Sequence, residues 1–484
     1  MKSKIHDLHK RIIMSGSKKI LFAFVGVATL FTVSCKKDGF HESKELVSGG
    51  VSGVDTLAGT ISHDTTVVRT TYLKGIVYVA PGATLRINAG VTIKGSPGGV
   101  APDTINLANN KGTLVVEKGA KLIANGTPTS PIVWTSTAAA GSRHFGDWGG
   151  LILLGNATIH TATGATTNTF EALPSSDPRN GYGGTNDADN SGSITYNRFE
   201  FGGGVIAKPN QEVNGVTFCG VGNGTVVNHV EVTNSGDDGF EWFGGAVNCD
   251  HLVDFSPKDD EYDFDEGYHG KLQFIIAYRL NINDNSGSHC IETDNDASAT
   301  GNIPHTLPFI ANATFIGPAD TTSGTGPGNY YDGEIFFRRN SRLRLLNSLI
   351  VAQAQPWAVV STPTTKPLVA SAFNLTTDSV LIAFNIFQTN GSHAVVSSSI
   401  EGNPSVVTDD ATTLGKLAGL SNSALSTFAD FKLDGALAPT TGSPALSGGV
   451  DLSASGFVGT TQRGAVISSD LWTSTGTWLS TATN

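Results

Sequence analysis

Charge is scarce in this chain, and so are long apolar runs, cysteine and compact catalytic signatures. Only 15% of the 484 residues are Asp, Glu, Lys or Arg, and no long segment carries the apolar period of a helix. Past residue 35 no stretch reaches the roughly 18 apolar residues that a spanning helix needs. With four cysteines and no Cys-x-x-Cys, a zinc knuckle or redox pair is excluded. Cys219, Cys249 and Cys290 cannot all pair within one chain, so they read as small buried hydrophobes. Walker, His-Glu-x-x-His, Gly-x-Ser-x-Gly and Rossmann patterns are missing, which sets aside nucleotide chemistry and serine hydrolysis. A net charge of −11 speaks against nucleic acid as a partner.

The N-terminus is the first positive signal. Lys18-Lys19 precede an uncharged run from Ile20 to Val33, which ends at Ser34-Cys35-Lys36-Lys37. The run is too short to span a bilayer but fits the apolar core of a signal peptide. The small residue before Cys35 resembles a bacterial lipobox, with Thr32 where the commonest form has Leu. That resemblance implies a lipidated Cys35, a membrane anchor and an extracytoplasmic location at the outer membrane. Met1 and Met14 are the only methionines, and a start at Met14 gives a signal of ordinary proportions. The expected plan is a signal over 1–35, a flexible tether over 36–63, a repeat domain over 64–430 and a capping region over 431–484.

With 58 glycines and abundant Thr, Ser, Asn, Val and Ile, the remainder has a strand-and-turn composition. Two repeats give it order. Leu85-Arg-Ile-Asn-Ala-Gly90 aligns with Leu114-Val-Val-Glu-Lys-Gly119 at an offset of 29, and Asp237-Asp238-Gly-Phe-Glu-Trp-Phe-Gly with Asp259-Asp260-Glu-Tyr-Asp-Phe-Asp-Glu at 22. Short strands of period 2 returning every 22 to 29 residues predict the coils of an all-β, single-stranded right-handed parallel β-helix. At a strand spacing of about 4.8 Å, some 13 to 15 coils would make a rod of roughly 60 to 75 Å, and a monomer is expected.

Val79-Ala-Pro-Gly-Ala-Thr-Leu, Pro131-Ile-Val-Trp-Thr-Ser136 and Asp147-Trp-Gly-Gly-Leu-Ile-Leu-Leu-Gly155 resemble the opening coils of β-helix surface lipoproteins of Gram-negative bacteria. Gly442-Ser-Pro-Ala-Leu446 is similar to the end of pectin-lyase-like helices, and Arg463-Gly-Ala with Trp472 and Trp478 resembles the tail of that family. The resemblance covers about residues 70 to 478 and implies the pectin-lyase-like fold. It implies no settled activity.

Acid is concentrated in one place. From Glu231 to Asp296 there are 16 Asp and Glu against Lys258, Lys271 and Arg279, a local charge of 3 − 16 = −13. On stacked coils the 22-residue offset sets Asp259-Asp260 over Asp237-Asp238, with Glu241, Asp263 and Asp265 beside them. Carboxylates so close repel unless protonated or neutralised, and calcium accepts such oxygens in loose geometry. The expected calcium ligands are Asp237, Asp238, Asp259, Asp260, Asp263 and Asp265. A solvated acidic face paired with Lys258, Lys271 and Arg279 is the plain alternative. A catalytic reading competes with both: Gly236-Asp237-Asp238-Gly239 resembles a polygalacturonase motif, with Asp259 and Asp260 as further candidates, but the partner Gly-His-Gly and Arg-Ile-Lys are missing. In a lyase reading Arg279 would be the base, or Lys271.

Asp187, Asp189 and Ser191 fall at the first, third and fifth positions of a calcium-type loop, although Arg198 stands where the bidentate Glu belongs. Arg338, Arg339, Arg342 and Arg344 form the densest basic run, suited to pairing with the ladder or to an anionic glycan. The expected function is a surface lipoprotein whose calcium-loaded face binds extracellular polysaccharide. The alternative is a pectin-lyase-like hydrolase or lyase acting on acidic glycans.

Overall fold

The computed structural model describes residues 44–45, 55–97, 111–208, 211–280, 287–319, 331–353, 356–361, 366–388, 394–398 and 407–480. Cys35 and the expected signal lie outside them. Alternating apolar strands wind into one continuous sheet of 28 strands, and the pairing between successive coils is parallel and in register. The front face stacks eleven strands through ten parallel pairings: Asp55–Ile61, Thr71–Val79, Thr113–Val116, Leu151–Leu154, Val216–Val221, Phe240–Gly245, Tyr262–Asp265, Ser288–Thr293, Tyr331–Phe337, Ala358–Ser361 and Val395–Ser398. The rod is therefore about 48 Å long at the usual spacing. It begins inside the stretch expected to be a tether.

Fewer coils fit than the sequence suggested because most are longer than the acidic repeat. Phe240 pairs with Tyr262, an offset of 22, but Tyr262 pairs with Ile291, Leu345 with Ile382 and Leu85 with Leu122. The offset of 29 between Leu85 and Leu114 is not a stacking register, since Leu114 pairs with Val77 and Leu151. Loops inserted between strands lengthen the coils while the strands keep their columns.

The other two faces are often two halves of one strand, folded at a residue with positive φ. Tyr196, His229, His251, Phe274, Asn312 and Asn347 have φ from 52° to 58° and lie one above another at this corner. Side chains other than glycine seldom adopt this conformation. Six in a column mark it as a repeating element of the coil.

Apolar residues fill the bore. Trp242, with no exposure, stacks between Phe218 at 5.4 Å and Phe264 at 4.7 Å. At the corner leading into the front face the bore turns polar. Arg279 and Glu261, both with side chains fully sealed, pair at 2.9 Å, and the guanidinium also lies over Tyr331. Glu334 accepts from the Cys290 thiol at 3.3 Å and from Tyr331. Asp254 points inward beside Gly239, where a Cβ would come within 1.1 Å of its Oδ2. Cys219, Cys249 and Cys290 are buried free thiols.

Two additions cover the rod. The segment over 156–190 lays Phe170, Leu173 and Tyr182 on the outer side of the front strands, against Ile152, Leu154, Cys219 and Phe243. The last coils are closed by the helix Ala411–Ala418, whose first turn Asp410 caps by accepting from Thr413 N–H, and which sets Leu417 into the core. Of residues 431–484, expected to cap the end, those described, up to 480, instead run back along the flank. Phe431 and Ala445 pack on Ile316, Leu349, Val351 and Ile386; farther back, Trp472 and Trp478 pack on Val253, Phe274 and Ile276.

Removing Arg279 leaves Glu261 in a dry bore without its cation. Arg279→Met should lower stability by about 3–5 kcal/mol, read from urea denaturation, whereas adding Glu261→Met should restore most of it. Equal losses in the single and double variants would contradict the pairing.

Candidate functional site

The outward positions of the front strands form the acidic site. Register places Thr217, Glu241, Asp263, Glu292 and Phe336 in one column, and Cys219, Phe243 and Asp265 in the next. The alternating Phe240, Trp242, Tyr262 and Phe264 point into the core, so hydrophobic burial fixes which way the acids face. Those aromatics are thus not platforms for sugar rings. Just before the strands the turns stack as well: Asp238 Oδ1 accepts from Asp260 N–H at 2.9 Å, and Asp237 O from Asp259 N–H at 3.5 Å. Asp260 Oδ1 in turn accepts from the backbone N–H of His289 on the next coil.

Ligand atoms of Asp237, Asp238 and Asp259 lie within 4.8 Å of one another, as do those of Asp238, Glu241 and Asp263, and those of Asp260, His289 and Glu292. Asp238, Asp260 and Glu292 are 7%, 3% and 7% exposed, so this is no freely solvated edge. Asn214 donates to Glu241, and Asp263 Oδ1 is buried with no hydrogen-bond partner. Burial raises the carboxyls of Asp238, Glu241, Asp260, Asp263 and Asp265 well above their ordinary range, and neighbouring carboxylates raise them further: Asp237 for Asp238, Asp263 for Glu241, Glu292 for Asp260 and Asp263, and Asp294 for Asp265. Glu266 is pushed up to about 7 by burial, although Tyr182 and Asn168 both donate to it.

Arginine closes one end of the site. Arg338 pairs with Glu292 and, at 2.8 Å, with Asp294, while Arg339 reaches Asp294 at 2.7 Å. These two take the intramolecular pairing expected of the basic run. Arg342 leans on Asp378 at 3.4 Å, and Arg344 lies over Phe309.

Arg279 meets the ladder only from inside the rod, donating to the backbone carbonyl of Asp259 rather than to a ladder carboxylate. It sits in the bore, where burial opposes its charge but Glu261 outweighs that effect and keeps it protonated. A sealed, paired guanidinium neither accepts a proton nor reaches a substrate, which corrects its expected place as a base. Lys271 is also engaged, donating to Ser455 O at 2.6 Å. Asp187, Asp189 and Ser191 lie in a turn fastened by protein contacts. Asp187 accepts from Thr158 N–H at 2.9 Å and faces His269 at 3.3 Å, and Ser191 N–H donates to Thr225 Oγ1 at 2.9 Å. Asp189 is docked by its carbonyl, which accepts from Gly224 N–H at 3.1 Å; its buried Oδ2 makes no hydrogen bond.

The sequence puts His289, like His229, His251 and His269, near the ladder but at no recognisable ligand spacing, and so does not mark it as a member of the site. Its coil is seven residues longer than the one before (29 against 22), so no fixed spacing marks it.

In-register coils, a covered front face and an acidic column agree with one architecture, and the chain matches the pectate-lyase-like β-helix domain over residues 59–420. The chain belongs to that family. Comparison with curated proteins and with solved structures returns no match. The family match bears out the expected fold and leaves the chemistry of the acidic column to be argued from its own geometry.

A carboxyl that is raised in the fold binds its proton more tightly there than in the unfolded chain. Its stabilising effect is present below the unfolded value and is lost as pH rises through the folded one. In chelator, this β-helix should therefore melt at a lower temperature at pH 8 than at pH 5.5. A calorimetric midpoint that rises over that interval would contradict the ladder electrostatics.

Proposed function

We propose that the chain is a surface-anchored binding module whose acidic front holds calcium and, through it, an anionic extracellular polysaccharide. The observation that carries this reading is the convergence of Asp238, Glu241 and Asp263 within 4.8 Å, with Asp237 and Asp259 grouped around Asp238. An all-oxygen donor set matches calcium, which takes six to eight oxygens in flexible geometry. The buried Asp263 Oδ1 without a partner fits a cation in that position. Asp260 and Asp265 adjoin the same columns and would complete the acidic wall. Asp187 and Asp189 are the weaker site, since Asp187 already has hydrogen-bond partners in the protein.

A uronate carboxylate is the natural further ligand for a calcium held on a protein face, because the cation then bridges two anionic surfaces. Binding is favoured over bond cleavage by the surroundings: Arg279 is sealed away and Lys271 is tied to Ser455. The Lys18 to Lys37 segment, with Cys35 as the lipidated residue, supports an outer-membrane anchor that presents the rod outward.

Two measurements test this reading on the chain lacking its first 35 residues. Calcium titration calorimetry should give saturable binding that Asp238→Asn combined with Asp263→Asn weakens at least tenfold, and free calcium at one hundred times Kd should stabilise the fold by about 2.7 kcal/mol. An unchanged melt in chelator would remove the metal. Incubated with uronic-acid polymers and calcium, the protein should retain polymer without releasing it; new reducing ends or unsaturated products would establish a hydrolase or lyase instead.

A further inference from the structure

The C-terminal strap meets the rod through an ionisable contact remote from the acidic front. At the positive-φ corner Tyr196, His229, His251 and Phe274 form a ladder of rings, with centroids 4.2, 4.3 and 5.1 Å apart. Trp472 stands edge-on to His251 at 5.1 Å, and Trp478 edge-on to His229 at 5.4 Å. His251 Nε2 contacts Asp470 Oδ2 on the strap at 2.9 Å, while its Nδ1 contacts Asp250 on its own strand. An imidazole with a carboxylate at each nitrogen donates to both only as imidazolium. His229, stacked on that ring, has Asn228 Oδ1 at its Nδ1.

The end of the strap has a second such contact. Ser480 N–H donates to Glu231 Oε2 at 2.8 Å, and Thr233 donates to Glu231 Oε1 at 2.9 Å. Glu231 has no exposed surface and lies beside Arg198, Glu200 and Asp254. Arg198 also donates to the carbonyls of Thr477 and Trp478. Thr477 N–H fastens the same end to Pro128 O at 2.7 Å.

We infer that residues 465–480 are a proton-coupled strap: docking takes up protons at His251 and Glu231, so the strap is held at mildly acidic pH and loosens as pH rises past neutrality. Docking surrounds both groups in the same sense. Burial works against the charge on His251, but the Asp250 and Asp470 carboxylates outweigh it and raise its pKa. Glu231 is pushed up to about 7 by burial, which outweighs the pull of Arg198 and of the hydrogen bonds from Ser480 N–H and Thr233. Asp250 lies on the strand of His251 and acts in either state, so the strap's own share is the Asp470 carboxylate at His251 and the burial of Glu231; through these each group binds a proton more tightly under the strap, and the stabilisation of the docked state is lost as pH rises through the raised values. His229, driven down to about 4 by burial and then by His251, sets the acid limit, because two stacked imidazoliums repel. Tyr196 is raised by burial and by Asp470 and Asp250, so it stays neutral throughout.

Hydrogen exchange of the full chain, followed by mass spectrometry from pH 6 to pH 8.5, tests the strap directly. Protection of 465–480, corrected for intrinsic exchange, should fall with pH by up to about tenfold per unit for each linked proton, while the core strand Val216–Val221 stays protected. Glu231→Gln should reduce that slope and leave the strap docked. Asp470→Asn changes a half-exposed residue on the strap itself and so avoids disturbing the rod; it should reduce protection at pH 6 and flatten the slope further. Equal protection at both pH values, or a slope unchanged in both variants, would overturn the coupling, as would strap and core opening together.

Discussion

Register is the constraint from which the rest follows. In a parallel β-helix every coil lies one strand spacing above the last, so a side chain meets its own equivalent about 4.8 Å away. For apolar residues this is favourable without further provision, and the column from Phe218 through Trp242 to Phe264 shows the result. For carboxylates it is costly at the same spacing. The front of this rod places Glu241, Asp263 and Glu292 in one column, and that choice must be offset by protons, arginines or a cation. Arg338 and Arg339 offset it at one end.

The same stacking explains how much of the molecule was legible in its sequence. The acidic repeat is both a sequence period and a stacking register, because the coils between Phe240, Tyr262 and their neighbours carry no insertion. Its alternation of aromatic and acid states which face each residue takes. The N-terminal repeat is misleading for a physical reason: Leu85 and Leu114 occupy similar local environments on different faces, and Leu85 stacks on Leu122. Local similarity reports the environment of a strand. Only pairing reports its column.

Other features leave no local mark. Arg279 is the one arginine in an acidic stretch, which suggests a partner in the ladder; its backbone places it at a corner, where the side chain turns inward to Glu261. The strap is equally silent in sequence, since its contacts join residues as distant as Glu231 and Ser480. Trp472 and Trp478 resemble the family's tail, yet nothing nearby in the sequence specifies the surface that buries them.

The two charged regions show how context decides the use of similar residues. On the front face carboxylates crowd together, so each one's proton affinity depends on its neighbours, and a divalent cation relieves several at once. On the flank, Asp250 and Asp470 face each other across one imidazole, and a single proton satisfies both. On the proposed reading calcium at the front would oppose protons, because it would compete with them for the same oxygens, whereas the strap is closed by protons. A rise in pH thus frees the front carboxylates of their protons and weakens the hold of the strap. The rod carries both responses because its faces are built by the same register yet share no side chains.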